Sequence, residues 1–181
     1  MRTIIFVIVM MTGIVTSSFA QVKSALLTAS GLTCSMCSKS IFKSLEKVSF
    51  VESIDVDLNT SVFKIKFKDG ANVDPDVLKD AVIGAGFAVA TLQLVADFPE
   101  TQLSKDAHLQ LAGATYHIVN AGDQRIQGER TVTIVDKNFV TASEYKKYKK
   151  QEQMKCYETG KAGSSCGAHI AAGTRIYHLS L

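Results

Sequence analysis

No stretch of this 181-residue chain supplies the roughly 20 consecutive apolar residues that a membrane-spanning helix needs. The apolar run Ile4 to Met11 extends at most to Val15, and elsewhere apolar and charged residues alternate as soluble elements do. The mature protein is therefore not expected to span a membrane. An excess of one charge is also missing: Lys and Arg number 20 against 17 Asp and Glu, too mild a balance to argue for nucleic acid. Tryptophan is absent and proline occurs only at Pro75 and Pro99, which leaves neither the Trp before a cysteine pair nor the cis-Pro of a thioredoxin-like redox centre. Histidine is absent before His108, and no cysteine follows Ala20 directly, so nothing suggests a lipid anchor.

What stands at the start is Arg2, the apolar run, and the small-residue stretch Thr16, Ser17, Ser18, Phe19, Ala20, the pattern of a signal peptide cut after Ala20. The expected compartment is the periplasm or the secreted medium. Losing Arg2 with the leader leaves 19 basic against 17 acidic residues. The remaining length suits one domain or two compact halves, and the pattern favours two: 21–96 and 107–181, joined by a linker over 97–106.

In the first half the expected order is strand, helix, strand, strand, helix, strand. Ala25 to Ala29 make a strand that Gly31 breaks, and a helix starts at Ser35 or Ser38 with Ile41, Phe42, Leu45 and Val48 on one face. Val51, Ile54, Val56 and Leu58 make a second strand. Phe63, Ile65 and Phe67 alternate with lysines in a third, half-buried one. Asp74-Pro75 opens a helix with Val77, Leu78, Ala81 and Val82 inward, Gly84 and Gly86 close it, and Phe87 to Leu94 form the last strand. This is the α+β, ferredoxin-like βαββαβ arrangement. The second half reads as a small, mostly β domain, barrel-like in one reading, with strands over 108–119, 130–135 and 175–181 and a helix over 143–154.

Chemistry concentrates in Gly31-Leu32-Thr33-Cys34-Ser35-Met36-Cys37, between a strand and a helix. Thiolates are soft ligands that select Cu(I), Zn(II) and similar ions, two of them suit near-linear Cu(I), and a helix start favours negative charge. No His, Asp or Glu stands in the loop, which argues against Ca(II) and Mg(II). A redox dithiol and an inert disulfide are the competing readings of the same pair.

With these residues in order, together with the helix over 41–48, Val51 before Ile54, Val56 and Leu58, and the closing Ala85-Gly86-Phe87, the segment 23–96 resembles the heavy-metal-associated domain family, which includes copper chaperones and periplasmic mercury-binding proteins. Leu32 stands where the family has Met. The resemblance implies metal binding at Cys34 and Cys37, supported by Thr33 and Phe87. It implies no catalytic residue and no enzyme activity. Cu(I) is the favoured ion, with Hg(II), Zn(II) and Cd(II) as alternatives. Lys39, Lys43 and Lys47 form a basic stripe that either docks an acidic metal-transfer partner or is a solvated face. Met36 is a third thioether donor only in a minority reading.

All four histidines, His108, His117, His169 and His178, accompany Met154, Cys156 and Cys166 in the second half. That density invites a second metal site, yet no tight His-x-x-x-His spacing supports one, and His117 and His178 sit in strand patterns where a core or surface histidine is commoner. Cys156 and Cys166 flank a Gly/Ser-rich segment and are expected to form a disulfide, free thiols being the alternative. Lys146, Lys147, Lys149 and Lys150 read as a solvated helix face. The expected function is that of an exported Cu(I) chaperone or sequestration protein. The rival of another class is a non-catalytic periplasmic assembly or binding module.

Overall fold

The computed structural model describes residues 21–181 except 33–34, 105–106, 120, 153, 164–165 and 167–169; the leader expected over 1–20 lies outside the described residues. Period-two patterning makes β1 (Gln21–Ser30), with Val22, Ala25, Leu27 and Ala29 buried. After α1 (Ser35–Leu45) come β2 (Val51–Asp57) and β3 (Val62–Phe67), the latter burying Phe63, Ile65 and Phe67 between exposed lysines. Asp57 Oδ1 turns the chain between them by accepting from the Asn59 and Thr60 amides at 2.9 and 3.3 Å, which leaves Leu58 exposed beyond the strand.

The second helix, α2 (Pro75–Gly84), starts as its sequence dictates. Asp74 accepts the Asp76 amide at 2.9 Å, and Pro75 occupies the first turn, where no amide is needed. Leu78 and Val82, four residues apart, are fully buried. Val77, expected inward with them, is 40% exposed, because it lies about 100° around the helix from Leu78. Ser44 Oγ donates to the Ala81 carbonyl at 2.6 Å and ties the two helices together.

The next strand, β4 (Ala88–Leu103), corrects the expected linker over 97–106. It continues through Leu103, pairing with β1 along one edge and with β7 along the other. Ala96, Phe98 and Leu103 are buried, so the alternating pattern does not stop at Leu94. Pro99 is tolerated because the β4–β7 register shifts between Phe98 and Thr101, where a missing amide interrupts no ladder bond.

Beyond it lie β5 (His108–Leu111), β6 (Ala114–Ile118), β7 (Gln124–Ile134), α3 (Ala142–Gln151), α4 (Lys155–Thr159) and β8 (Ile176–Ser180). Among the described residues the strands form one open eight-stranded sheet in the order β2-β3-β1-β4-β7-β8-β6-β5. The first four in that order are the expected antiparallel ferredoxin-like set. The barrel-like expectation for the second half gives way to this sheet, whose edges are β2 and β5 among the described residues. One hydrophobic core runs from Leu27, Ile41 and Phe63 through Phe98 to Tyr116 and Leu179, and thus crosses both halves.

Polar contacts fasten the halves further. Tyr177 donates its hydroxyl to Asp74 at 2.6 Å, Arg175 pairs with Asp76 at 2.8 Å, and the Val73 amide donates to the Ala112 carbonyl at 2.8 Å. Burial opposes ionisation of Asp76, but hydrogen bonds from Arg175 and Lys79 outweigh it and bring its pKa down to about 2. The turn between β5 and β6 places Gly113, at φ +82°, against Asn72, where a Cβ would come within 2.5 Å of the amide oxygen. Helix α3 carries its lysines to solvent behind a Thr141–Glu144 capping box, as its composition suggested. No helix among the described residues is long and apolar enough to cross a membrane.

Candidate metal centres

The first candidate centre lies where β1 passes into α1. Ser30 pairs with Ala88, so the loop that leaves β1 starts beside Phe87, the residue before β4. Gly31, at φ +80°, makes the turn that a side chain would oppose, and Leu32 packs partly buried against the core. Cys37 is in the first turn of α1, half-buried and a free thiol. Ser38, Ile41 and Leu45 are buried and fix the helix on the sheet. Cys34 and Thr33 lie outside the described residues. Phe87 is partly buried against the core, and Met36 is 68% exposed. Lys39 and Lys43 on α1, and Lys47 just after it, are exposed.

Residues 26–88 match the family model of the heavy-metal-associated domain. This segment is a heavy-metal-associated domain. Similar solved structures include oxidised MerP from Ralstonia metallidurans CH34, 28% identical over 38% of this chain and 93% of its own, TM-score 0.34. The amino-terminal domain of PacS from Synechocystis PCC6803 is 27% identical over 37% of this chain and 92% of its own, TM-score 0.32. The CopZ metallochaperone is 25% identical over 37% of this chain and 98% of its own, TM-score 0.34. Among curated proteins no match was found. Each of these three structures covers less than two fifths of this chain.

That remaining part brings together residues that sequence spacing did not. His108 of β5 is in register with His117 of β6, and His117 with His178 of β8, so three imidazoles stand side by side on adjacent strands. Helix α4 presents Cys156 to them, and Cys166 reaches the same point from the following loop. His117, His178, Cys156 and Cys166 are buried, each with 1% or less of its surface exposed. The cysteines are free thiols in hydrogen-bond contact, which corrects the expected disulfide: α4 holds Cys156 toward the histidines, with its sulfur 3.5 Å from His178 Nε2. Burial first, and hydrogen-bonded Cys166 second, push the Cys156 thiol pKa up. Burial, and behind it His178 and His108, pull His117 down to about 3 and keep it neutral. His169 lies outside the described residues.

Proposed function

We propose that the protein is an exported Cu(I)-binding chaperone or sequestration protein that holds its cargo between the thiolates of Cys34 and Cys37. The observation that carries this reading is the placement of Cys37 in the first turn of α1, directly after the β1 turn, within a heavy-metal-associated domain. A soft monovalent cation suits two thiolates at that position, and the helix end compensates their charge. Partly buried Phe87 next to the loop limits water access without adding charge. The match of residues 26–88 to the heavy-metal-associated domain model supports a role in metal handling.

The leader pattern over 1–20 supports a periplasmic location, where the ion would be stored or passed by ligand exchange. The exposed stripe of Lys39, Lys43 and Lys47 offers a rim for an acidic partner. Hg(II), Zn(II) and Cd(II) are the alternative cargoes that a thiolate pair would accept. Competitive titration of the anaerobically purified protein with Cu(I), Hg(II), Zn(II) and Cd(II) tests the assignment. Preference for Cu(I) over Zn(II) and Cd(II), lost in a Cys34→Ser, Cys37→Ser variant, is the expected result. An unchanged Cu(I) affinity in that variant would remove the basis of the proposal.

A further inference from the structure

We propose that the second half carries its own buried metal site, a Zn(II) centre built from Cys156, Cys166, His178 and one of the paired histidines His108 and His117. Two sets of donor atoms each lie within 4.8 Å of one another, His108 with Cys156 and Cys166, and His117 with Cys156 and His178. Cys156 belongs to both, so the donor atoms of four other metal-ligating side chains lie within 4.8 Å of its sulfur. Single hydrogen bonds account for His178 or Cys166 beside that sulfur one pair at a time, whereas a metal ion accounts for thiols and imidazoles gathering there together.

One donor pair already has the spacing of two ligands on a bound ion. Ligand bonds of about 2.3 Å to sulfur and about 2.0–2.1 Å to nitrogen at the tetrahedral angle separate a sulfur and a nitrogen ligand by about 3.5 Å. Cys156 Sγ and His178 Nε2 are 3.5 Å apart. The donor atoms within each set lie no more than 4.8 Å apart, so those of one set need to draw together by at most about 1 Å to reach ligand spacing.

The surroundings also orient the ligands as a metal site requires. Asp136, 3% exposed, accepts the His178 amide at 2.6 Å through Oδ2, and its Oδ1 lies 3.0 Å from His178 Nδ1. An ionised carboxylate can only accept, so Nδ1 carries the imidazole proton and the lone pair of Nε2 faces Cys156. Arg175 Nη1, 3.3 Å from Asp136 Oδ1, holds the carboxylate in place. This carboxylate–histidine arrangement is the usual outer support of a histidine ligand. The Gly163 amide donates to Cys166 Sγ at 3.5 Å and orients that sulfur.

Charge selects among soft ions. Two thiolates neutralise Zn(II), so the buried site carries no net charge from ion and ligands together. The same two thiolates around Cu(I) would leave a buried negative charge, with Asp136 and Glu152 close by; Glu152 Oε2 is 3.9 Å from His117 Nδ1. Sulfur and imidazole donors without a coordinating carboxylate disfavour Mg(II) and Ca(II).

The test uses the full mature chain with Cys34→Ser and Cys37→Ser, so that the first site is silent and the failure of one reading does not touch the other. This protein, reduced and metal-free, is titrated with Zn(II) against a chromophoric chelator, and separately with Co(II) as a spectroscopic probe. One equivalent of Zn(II), and a Co(II) spectrum with thiolate charge-transfer and tetrahedral d–d bands, are expected. Adding Cys156→Ser should weaken Zn(II) binding by more than the roughly 10–100-fold expected for Asp136→Asn, which removes only the outer support. Because a core variant can fail to fold, alkylation followed by mass spectrometry is run on the protein with both second-half cysteines intact. Zn(II) should protect Cys156 and Cys166 together. Absence of Zn(II) binding, a Co(II) spectrum without thiolate bands, unprotected thiols, or a single equivalent of Cu(I) held where Zn(II) is not would each overturn the proposal.

Discussion

Replacing Phe98 by Ala asks whether the two halves are one cooperative body. Phe98 is 2% exposed on β4, faces Gly128 of β7 in register, and belongs to the core that runs from Leu27 to Leu179. Removing a buried phenylalanine ring costs about 3–5 kcal/mol through lost transfer energy and the cavity left behind. Against a total stability of about 5–15 kcal/mol for a domain, that is a large fraction. Urea unfolding of the mature protein, followed by circular dichroism and tyrosine fluorescence, should show a single transition that moves to lower urea by this amount. Val77→Ala, at a residue 40% exposed, serves as the control and should change stability by about 0.5 kcal/mol or less. If residues 97–103 were a solvated connection, Phe98→Ala would cost no more than the control. A loss below about 1 kcal/mol, or separate transitions of the two halves, would refute the reasoning.

The Asp76 carboxyl is depressed to about 2 from an ordinary 3.8, so its contribution is complete above about pH 4 and is lost as pH falls through about 2. The shift corresponds to about 2 kcal/mol, and Asp76→Asn should remove that pH dependence in acid unfolding monitored by circular dichroism. Gly113→Ala should lower the melting temperature, with a loss above about 1 kcal/mol, because φ is +82° and the new Cβ meets Asn72; an unchanged melting temperature would mean that the turn rearranges freely. Reversing Lys39, Lys43 and Lys47 to Glu should slow Cu(I) transfer to an acidic partner at low salt and leave Cu(I) affinity nearly unchanged, as stopped-flow and equilibrium titration can separate. Equal transfer rates would return the stripe to a solvated face.

The first half was legible because each of its elements has a local cause. Alternation along Val62–Phe67 fixes a strand, the Asp74-Pro75 start fixes α2, and Gly31 and Gly86 mark the turns around the metal loop. Val77 was misplaced by reading an apolar residue as an inward one, although Leu78 and Val82 already fill the buried stripe. The segment after Leu94 was misread for a different reason. Phe98-Pro99 with polar neighbours looks like a connection, but a register shift lets a strand carry a proline there, and that shift depends on β7, about thirty residues later in the chain.

The histidine and cysteine cluster was visible only as composition. Its ligands come from β5, β6, β8, α4 and a loop, so their convergence rests on strand order rather than on spacing. The parallel β6–β8 pairing that sets His117 beside His178 joins residues sixty-one positions apart, and no local pattern announces it. The usable signal was the confinement of every histidine to the half that also holds Cys156 and Cys166. The short Cys156–Cys166 interval suggested a disulfide because flexible spacing lets two sulfurs meet, whereas α4 directs Cys156 at the imidazoles.

Cu(I) binding by the Cys34–Cys37 pair is most directly measured by anaerobic competition against a Cu(I)-specific chromophoric chelator, with the reduced mature protein and its Cys34→Ser, Cys37→Ser variant compared at equal concentration. The account predicts one tightly held Cu(I) fewer in the variant, with its circular dichroism unchanged. The same number of tight Cu(I) equivalents, held with the same affinity in both proteins, would contradict it.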